Sequence, residues 1–183
     1  MKATEGSPAR NASAHRVLPK RLLPTLLDRL LDADPAQRHE PLDVKAMSQA
    51  EYRRSVLRDL HWLLNASAAG TSLDLEGLDE VQRSVVNFGL PPFAGQRLSE
   101  LDWPAVVASV RVAIERYEPR IHPASLEVKP LLQSDGAGIH NMVGLEIKAQ
   151  LWAQPFPLEL LLHSHMDLES GTVRVVDQLG RSV

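Results

Sequence analysis

The spacing of apolar residues changes along this chain, and the change limits the fold more than any other feature. Between Val143 and Ala153 every second residue is apolar, with Glu146 and Lys148 among the polar residues in between. This alternation predicts a strand with one buried and one solvated face. Before Pro119 the apolar residues instead recur at steps of three and four, which is typical of amphipathic helices. The order therefore predicts helices first and a sheet afterwards.

Two of the predicted helices have clear N-terminal signals. Ser48 and Glu51 form a capping-box pattern, which predicts a helix over 49–65. Asp102 predicts the N-cap of a later helix, and Pro119 predicts its end because a proline cannot continue a helix.

A shorter helix is predicted over 79–88, with three valines on its buried face: Val81, Val85 and Val86. Gly89 suits the left-handed conformation that often follows a helix. The two prolines that come next cannot continue it.

Three further segments around the alternating one predict strands: 126–128, 157–168 and 172–176. Turns are predicted at Gly136 and Gly138 and at Ser170-Gly171. Short connections favour antiparallel neighbours, so these strands form a meander of three or four members. The predicted fold class is α+β, with N-terminal helices packed on one face of a small antiparallel sheet.

The first 47 residues divide into three predicted parts. Residues 1–18 show no apolar period, and we expect a disordered tail. Over 19–32 leucines form one stripe of an amphipathic helix, whose members include Leu22, Leu23, Leu26, Leu27 and Leu30. Residues 33–47 are polar with two prolines and predict a linker to an α+β domain over 48–183. The sequence leaves open whether the tethered helix docks on its own domain or on a partner.

Composition excludes several classes of function. The chain has no cysteine, which excludes disulfides, thiolate metal sites and cysteine nucleophiles. Its formal net charge of -3 argues against non-specific nucleic-acid binding, which needs surplus Lys and Arg. No apolar run approaches the ~18–20 residues of a membrane span, so we expect no membrane insertion. Nucleotide-binding and serine-nucleophile motifs do not occur, and we expect no cofactor.

One pair of histidines in the sequence has a spacing that occurs among metal ligands. His163 and His165 lie on the same face of a predicted strand, at a spacing that can chelate zinc. A zinc site needs three or four ligands, however. We therefore favour a pair on the solvated face of the strand and expect no metal.

One carboxylate group suggests an enzymatic alternative. Glu118 is a candidate general acid of a glycosidase, with Glu115 or Asp102 as the second carboxylate. The flanking Arg116 and Arg120 favour the ionised form of Glu118 and oppose that role. We therefore rank structural or partner-binding roles above catalysis.

Four segments, in this order and spacing, resemble one family: Leu26–Leu30, Ser55–Asn65, Ser84–Pro91 and Ala113–Ile121. This family is TssE, small baseplate subunits of the bacterial type VI secretion system that are related to the wedge protein of contractile-tail phage baseplates. The resemblance covers about residues 22–178. It departs from the family pattern at Tyr117, where Phe is common, and at Phe88, where Tyr is common.

The resemblance implies a non-catalytic assembly protein, although the family has carried a "lysozyme-like" label. The implied partners are other wedge subunits, of the TssF, TssG and TssK type, and contractile sheath subunits of the TssB/TssC type. The implied location is the bacterial cytoplasm, at a baseplate docked on the inner membrane. The implied role is to help start sheath polymerisation by pairing a sheet edge with sheath strands. The alternative is a peptidoglycan hydrolase that uses Glu118.

Three surfaces are candidates for these contacts. The resemblance assigns partner contacts to the motif Glu118-Pro119-Arg120, and we expect Pro119 to force its neighbours onto an exposed corner. The leucine stripe is suited to a partner's apolar groove through Leu23, Leu26, Leu27 and Leu30. The edges of an open sheet are the third, because their backbone groups can pair with another strand.

Overall fold

The computed structural model describes residues 22–30, 46–131 and 142–179. These residues contain four α-helices, α1 to α4, over Leu26–Leu30, Gln49–Asn65, Asp79–Arg83 and Trp103–Tyr117. Four strands follow, β1 to β4, over Glu127–Leu131, Met142–Leu151, Leu158–Asp167 and Val173–Asp177. The predicted tail over 1–18, most of the predicted linker and the predicted turn at Gly136 and Gly138 lie outside the described residues.

The strands form one antiparallel sheet in the order β1-β2-β3-β4. β2 and β3 pair along all 10 residues of each strand, from Met142 opposite Asp167 to Leu151 opposite Leu158. Gly171 has φ +73 in the turn between β3 and β4, as the sequence predicted. The predicted α+β class and the predicted meander are confirmed.

One face of the sheet forms the core together with α2 and α4. Burial of each fully covered apolar side chain contributes about 1.5–3 kcal/mol, so this layer dominates the stability of the domain. The inward residues of β2 are Val143, Leu145, Ile147, Ala149 and Leu151, and they pack with Val56, Leu60 and Leu63 of α2 and with Val106, Val110 and Ile114 of α4.

The predicted helix N-termini are confirmed. Ser48 Oγ accepts a hydrogen bond from the Glu51 N–H at 3.2 Å, and the Glu51 carboxylate accepts one from the Ser48 N–H at 2.8 Å. At the start of α4 the Asp102 carboxylate accepts a hydrogen bond from the Ala105 N–H at 3.3 Å. These caps satisfy N–H groups that have no partner within the helix.

The prediction of one helix over 79–88 is wrong for the second half of that range. α3 ends at Arg83, and a separate 3-10 turn follows over Val85–Asn87. Ser84 between them has an extended backbone, and its Oγ accepts a hydrogen bond from the Val86 N–H at 3.3 Å. This local bond competes with the helix and breaks its period. Val85 and Val86 are consequently 80% and 60% exposed, not buried.

Two aromatic rings hold this 3-10 turn against α4. The centroids of the Phe88 and Tyr117 rings are 5.3 Å apart, in an edge-to-face arrangement. The Tyr117 hydroxyl lies 3.0 Å from the carbonyl oxygen of Ser84 and 2.8 Å from that of Asn87. The turn is therefore fixed by contacts with a distant helix.

α1 is shorter than the helix predicted over 19–32, because it begins only at Leu26. Pro24 has no N–H to donate and disfavours a helical backbone at the residue before it. Thr25 then caps the later start, since its Oγ1 accepts a hydrogen bond from the Asp28 N–H at 3.2 Å. A proline inside the leucine stripe therefore sets the N-terminal end of the helix.

Gly89 has a positive φ of +124, as predicted, although no α-helix ends there. The Leu90 N–H donates a hydrogen bond to the carbonyl oxygen of Ala66 at 2.8 Å, which brings the two chain segments together. A Cβ added at Gly89 would lie 2.3 Å from that oxygen. Only glycine fits this close approach.

We expect Gly89→Ala to lower the free energy of unfolding by more than about 2 kcal/mol, because the new Cβ meets a backbone atom in a strained conformation. Gly95→Ala is the matched control: Gly95 has φ +82, but nothing lies within 4 Å of an added Cβ. In this control the free energy of unfolding should fall only by the cost of the backbone strain, about 1–2 kcal/mol. Urea unfolding measures both variants. Equal losses would show that the approach to Ala66 does not require glycine.

Candidate partner-binding site

The motif at the end of α4 folds back on itself. Glu118 is the C-cap residue of α4, and its side chain is only 3% exposed. The Arg120 guanidinium donates from Nε to Glu118 Oε1 at 2.7 Å and from Nη2 to Glu118 Oε2 at 2.5 Å. The backbone N–H of Arg120 also donates to Oε1, at 3.1 Å. The Glu118 carboxylate thus accepts three hydrogen bonds from Arg120, and Pro119 is the only residue between them in the chain.

The same guanidinium joins α4 to α2. Nη1 of Arg120 donates to the hydroxyl oxygen of Ser55 at 2.9 Å, and Nη2 donates to Asp59 Oδ2 at 2.6 Å. Burial of the guanidinium lowers the pKa of Arg120, but the hydrogen bonds and charges of Glu118 and Asp59 outweigh this and raise that pKa above its ordinary value. Arg120 is therefore a permanent cation between the two helices.

The expectation of an exposed charged corner at Glu118 and Arg120 is wrong. Pro119 is exposed, but the side chain of Glu118 is buried and that of Arg120 is 16% exposed. The physical reason is that α2 places Ser55 and Asp59 beside the corner, where they satisfy a charge that would otherwise point into water.

The ion pairs continue from Asp59 to α1. Arg58 donates from Nε to Asp59 Oδ1 at 2.8 Å and from Nη1 to Asp28 Oδ1 at 2.5 Å. The Arg58 guanidinium also lies 5.1 Å from the centre of the Trp62 ring. We call the five residues Asp28, Arg58, Asp59, Arg120 and Glu118 the charged network. The network connects the N-terminal leucine segment to the Glu118-Pro119-Arg120 motif, which the sequence alone presents as two separate candidate surfaces.

Asp28 holds α1 on the domain. Burial raises the pKa of the Asp28 carboxyl, but hydrogen bonds from Arg58 and Thr25 outweigh this and lower that pKa below its ordinary value. A second link is the hydrogen bond from the Met47 N–H to the Leu22 carbonyl oxygen, at 2.9 Å. The described part of the N-terminal segment therefore docks on its own domain.

The leucines of this segment are divided between the domain and solvent. Leu22 packs against the core, and Leu27 is half-buried. Leu23, Leu26 and Leu30 are 60%, 70% and 71% exposed. Three large apolar side chains thus remain uncovered on a segment that is already anchored, which makes them candidates for contact with a partner.

The two carboxylates proposed as partners of Glu118 differ from it in position or surroundings. Asp102 caps the N-terminus of α4 and Glu118 is at its C-cap, so about 22 Å of helix separates them. Paired catalytic carboxyl groups of glycosidases lie within about 5–9.5 Å of each other, which excludes Asp102. Glu115 accepts a hydrogen bond from Arg111 at 2.8 Å on the exposed side of α4, whereas the buried Glu118 carboxylate is bonded to Arg120.

The two histidines lie on the solvated face of β3, as predicted. His163 Nε2 is 3.5 Å from the Glu146 carboxylate on β2. Within the described ranges, no group of three His, Cys, Asp or Glu side chains could hold a metal ion.

The sequence of residues 50–155 matches the family model described as baseplate wedge protein gp25. The chain belongs to this family. The matched range is more than half of the 183 residues, and it contains every member of the charged network except Asp28. TssE belongs to the same family, so the resemblance seen in the sequence is confirmed. Comparisons with curated proteins and with solved structures give no significant match.

Membership in the gp25 baseplate wedge family supports a structural role in a phage-like baseplate, in contact with other baseplate components. Among the described residues, no helix has both the length and the apolar character needed to cross a membrane.

Sequence reasoning missed Ser55, Asp59 and Arg58 as site residues. Ser55 and Asp59 are four residues apart and therefore share one face of α2, and Ser55 is buried among apolar residues of that helix. A small polar residue on a buried helical face signals a buried polar partner. That signal predicts a polar contact but does not say that the partner is Arg120.

We expect Arg120→Ala to lower the free energy of unfolding by about 3–5 kcal/mol, because it leaves the buried Glu118 carboxylate unpaired. Arg111→Ala is the matched control, since it breaks an exposed ion pair of α4 and should cost under about 1 kcal/mol. The double variant Glu118→Leu with Arg120→Met should regain much of the loss. Urea unfolding checks all three, and equal effects at Arg120 and Arg111 would contradict the buried role.

We expect the docking of α1 to weaken at low pH. The folded-state pKa of Asp28 is lowered, so its contribution is complete above the unfolded pKa of about 3.9 and is lost as pH falls through the folded value. The protection factors of the amides at Leu26–Leu30, which correct for the pH dependence of intrinsic exchange, should fall below about pH 4 in the wild type. In Asp28→Asn they should already be low at pH 7. Unchanged protection in the variant would mean that other contacts hold α1.

Proposed function

We propose that this chain is the wedge-type structural subunit of a type VI secretion baseplate, acting without catalysis. The observation that carries the proposal is the gp25 family match, which covers the members of the charged network on α2 and at the end of α4. The proposed partners are wedge subunits of the TssF, TssG and TssK type and sheath subunits of the TssB/TssC type. The proposed location is the cytoplasm, at a baseplate docked on the inner membrane.

The hydrogen bonds and the burial of the Glu118 carboxylate support a non-catalytic role. A general acid must hold a transferable proton, whereas this carboxylate accepts hydrogen bonds from Arg120 and is shielded from solvent. An open groove of about 570 Å³ lies between α4 and the 68–76 segment, and neither Glu118 nor its proposed carboxylate partners line it. A substrate in this groove would not reach Glu118.

The exposed leucines of the N-terminal segment are the proposed contact with wedge subunits. Leu23, Leu26 and Leu30 leave apolar area in water that a partner's groove would cover. In this proposal the charged network positions the segment, and within the Glu118-Pro119-Arg120 motif the exposed Pro119 is the residue that touches a partner.

We expect the triple substitution of Leu23, Leu26 and Leu30 by serine to abolish co-purification with the TssF- and TssG-type subunits of the same host. The fold should be unaffected, because these side chains contribute little to the core. The matched control is Leu73→Ser with Leu78→Ser, which changes leucines that are 55% and 50% exposed elsewhere on the surface. Undiminished co-purification of the triple variant would remove the role assigned to this segment.

The hydrolase alternative predicts a different result. The purified protein should release no soluble fragments from isolated peptidoglycan at any pH between 4 and 8. Turnover that disappears in Glu118→Gln, with an unchanged unfolding midpoint, would overturn the non-catalytic proposal.

A further inference from the structure

The open groove of about 570 Å³ lies between α4 and the segment that connects α2 to α3. One wall is formed by Ser109, Val112 and Arg116, which are three or four residues apart and therefore share one face of α4. The other wall is the irregular segment over residues 68–76. The groove is thus built by a regular helix on one side and by a loop on the other.

Side chains hold the irregular wall in place. Asn87 accepts a hydrogen bond from the Gly70 N–H at 2.8 Å through Oδ1, and it donates from Nδ2 to the Gln82 carbonyl oxygen at 3.0 Å. Gln82 donates from Nε2 to the Leu75 carbonyl oxygen at 2.7 Å. Arg116 donates from Nη1 to the Gln82 carbonyl oxygen at 2.7 Å, which ties the wall to α4. The groove is therefore preformed and does not need an occupant to exist.

The groove combines uncovered apolar side chains with negative charge. Leu73 and Val112 line it and are 55% and 47% exposed. Asp74 and Glu76 also line it, and neither pairs with a lysine or arginine among the described residues. The first turn of α3 adds two more carboxylates. Arg116 is the one cation among the described lining residues. A segment that covers this groove must therefore supply positive charge and small or apolar side chains.

Residues 1–21 of the same chain have this chemistry. They contain five lysines and arginines against one carboxylate, and most of their other side chains are small. The five cations are Lys2, Arg10, Arg16, Lys20 and Arg21. The segment is attached to the domain at its C-terminal end, because Leu22 packs against the core and its carbonyl oxygen accepts a hydrogen bond from the Met47 N–H at 2.9 Å.

The length of this segment determines which of its cations reach the groove. The attachment point lies just before the N-terminus of α2, and the groove begins just beyond the C-terminus of α2, so about 30 Å separates them. An extended chain spans about 3.3 Å per residue, so about nine residues before Leu22 are needed. Lys2 and Arg10 lie further from Leu22 than this, whereas Lys20 and Arg21 are too close to it.

We propose that residues 1–18 cover this groove in the free protein, with Lys2 and Arg10 beside the carboxylates of Asp74 and Glu76. Exposed ion pairs are weak and are screened by salt, so the cover is reversible. Any partner that binds the groove must first displace this segment. The N-terminal segment therefore competes with partners for the groove and raises the affinity that a partner needs.

The same segment of a second copy is a weaker occupant. It has the same charges, but it reaches the groove only at the concentration of the protein. A tethered segment acts at an effective concentration of about millimolar, because the chain itself keeps it near the groove. At micromolar protein the intramolecular contact therefore dominates.

A spin label on the segment tests the contact in the full-length protein. The chain has no cysteine, so Ala12→Cys supplies a single attachment site for a nitroxide. At about 50 mM salt the label should lower the amide signals of Leu73, Glu76 and Val112 by at least half, compared with the same sample after the nitroxide is reduced. About 0.5 M salt should restore these signals. The amide of His163, on the solvated face of the sheet, should keep its intensity.

Charge reversal in the segment tests which cations make the contact. Lys2→Glu with Arg10→Glu should abolish the loss of signal in the groove amides. Lys20→Glu with Arg21→Glu is the matched control, because it changes the charge by the same amount at positions too close to Leu22 to reach the groove. In this control the loss of signal should remain.

Charge reversal in the groove supplies the complementary test. Asp74→Lys with Glu76→Lys should abolish the loss of signal in the otherwise unchanged chain. The same pair of substitutions should restore it when combined with Lys2→Glu and Arg10→Glu, because the charges of both sides are then exchanged.

Three results would overturn the inference. Groove amides that keep their intensity at low salt would show that the groove is uncovered in the free protein and open to a partner. A loss of signal that survives reversal of Lys2 and Arg10 would show that these cations do not hold the segment there. An equal loss in a mixture in which label and observed amides are on different molecules would identify a second copy as the occupant.

Discussion

Arg120 is the residue on which the rest of the domain depends, because one guanidinium satisfies acceptors on α2 and at the end of α4 while its backbone is hydrogen-bonded to the residue that follows β2. Its side chain bonds Glu118, Ser55 and Asp59, and its carbonyl oxygen accepts a hydrogen bond from the Trp152 N–H at 2.8 Å. A buried cation is costly unless each of its donors finds an acceptor. The packing of α2 beside the end of α4 therefore satisfies this charge.

This arrangement separates the residues that position the N-terminal segment from the exposed leucines that we propose as partner contacts. The charged network is mostly buried and holds the N-terminal segment on the domain, whereas Leu23, Leu26 and Leu30 are exposed. Under the proposed function, a substitution in the network would act on assembly indirectly, through the position of the segment, and a substitution among the leucines would act on it directly.

The sequence predicted the fold well because hydrophobic period and helix caps are local signals. The change from a period near 3.6 to a period of 2 identified the helices and the meander, and Ser48 and Asp102 marked two helix starts. The candidate site was predicted less well. The burial of Glu118 depends on Ser55 and Asp59, which are about 60 residues away in the chain, and no local pattern records that proximity.

Two prolines are local signals in the sequence for features of the fold that the hydrophobic period does not predict. Pro24 interrupts the leucine stripe, and Pro130 marks β1 as an edge strand. The exposure of Val85 and Val86 had a weaker signal, because a serine inside a helical pattern does not by itself mark a break, and the contact of Ser84 with Tyr117 joins residues 33 positions apart.

The edge-to-face contact between Phe88 and Tyr117 gives the two departures from the TssE pattern a common meaning. The resemblance implies that Tyr is common at position 88 and Phe at position 117, and this chain has the reverse. Because the rings touch, the two departures amount to a single exchange in which one phenolic oxygen has moved from one side of the contact to the other. The pair still contains one hydroxyl, and here it anchors the turn to α4. Changing either residue alone toward the family pattern would leave the contact with two hydroxyls or with none, so the hydroxyl that anchors the turn depends on both positions together.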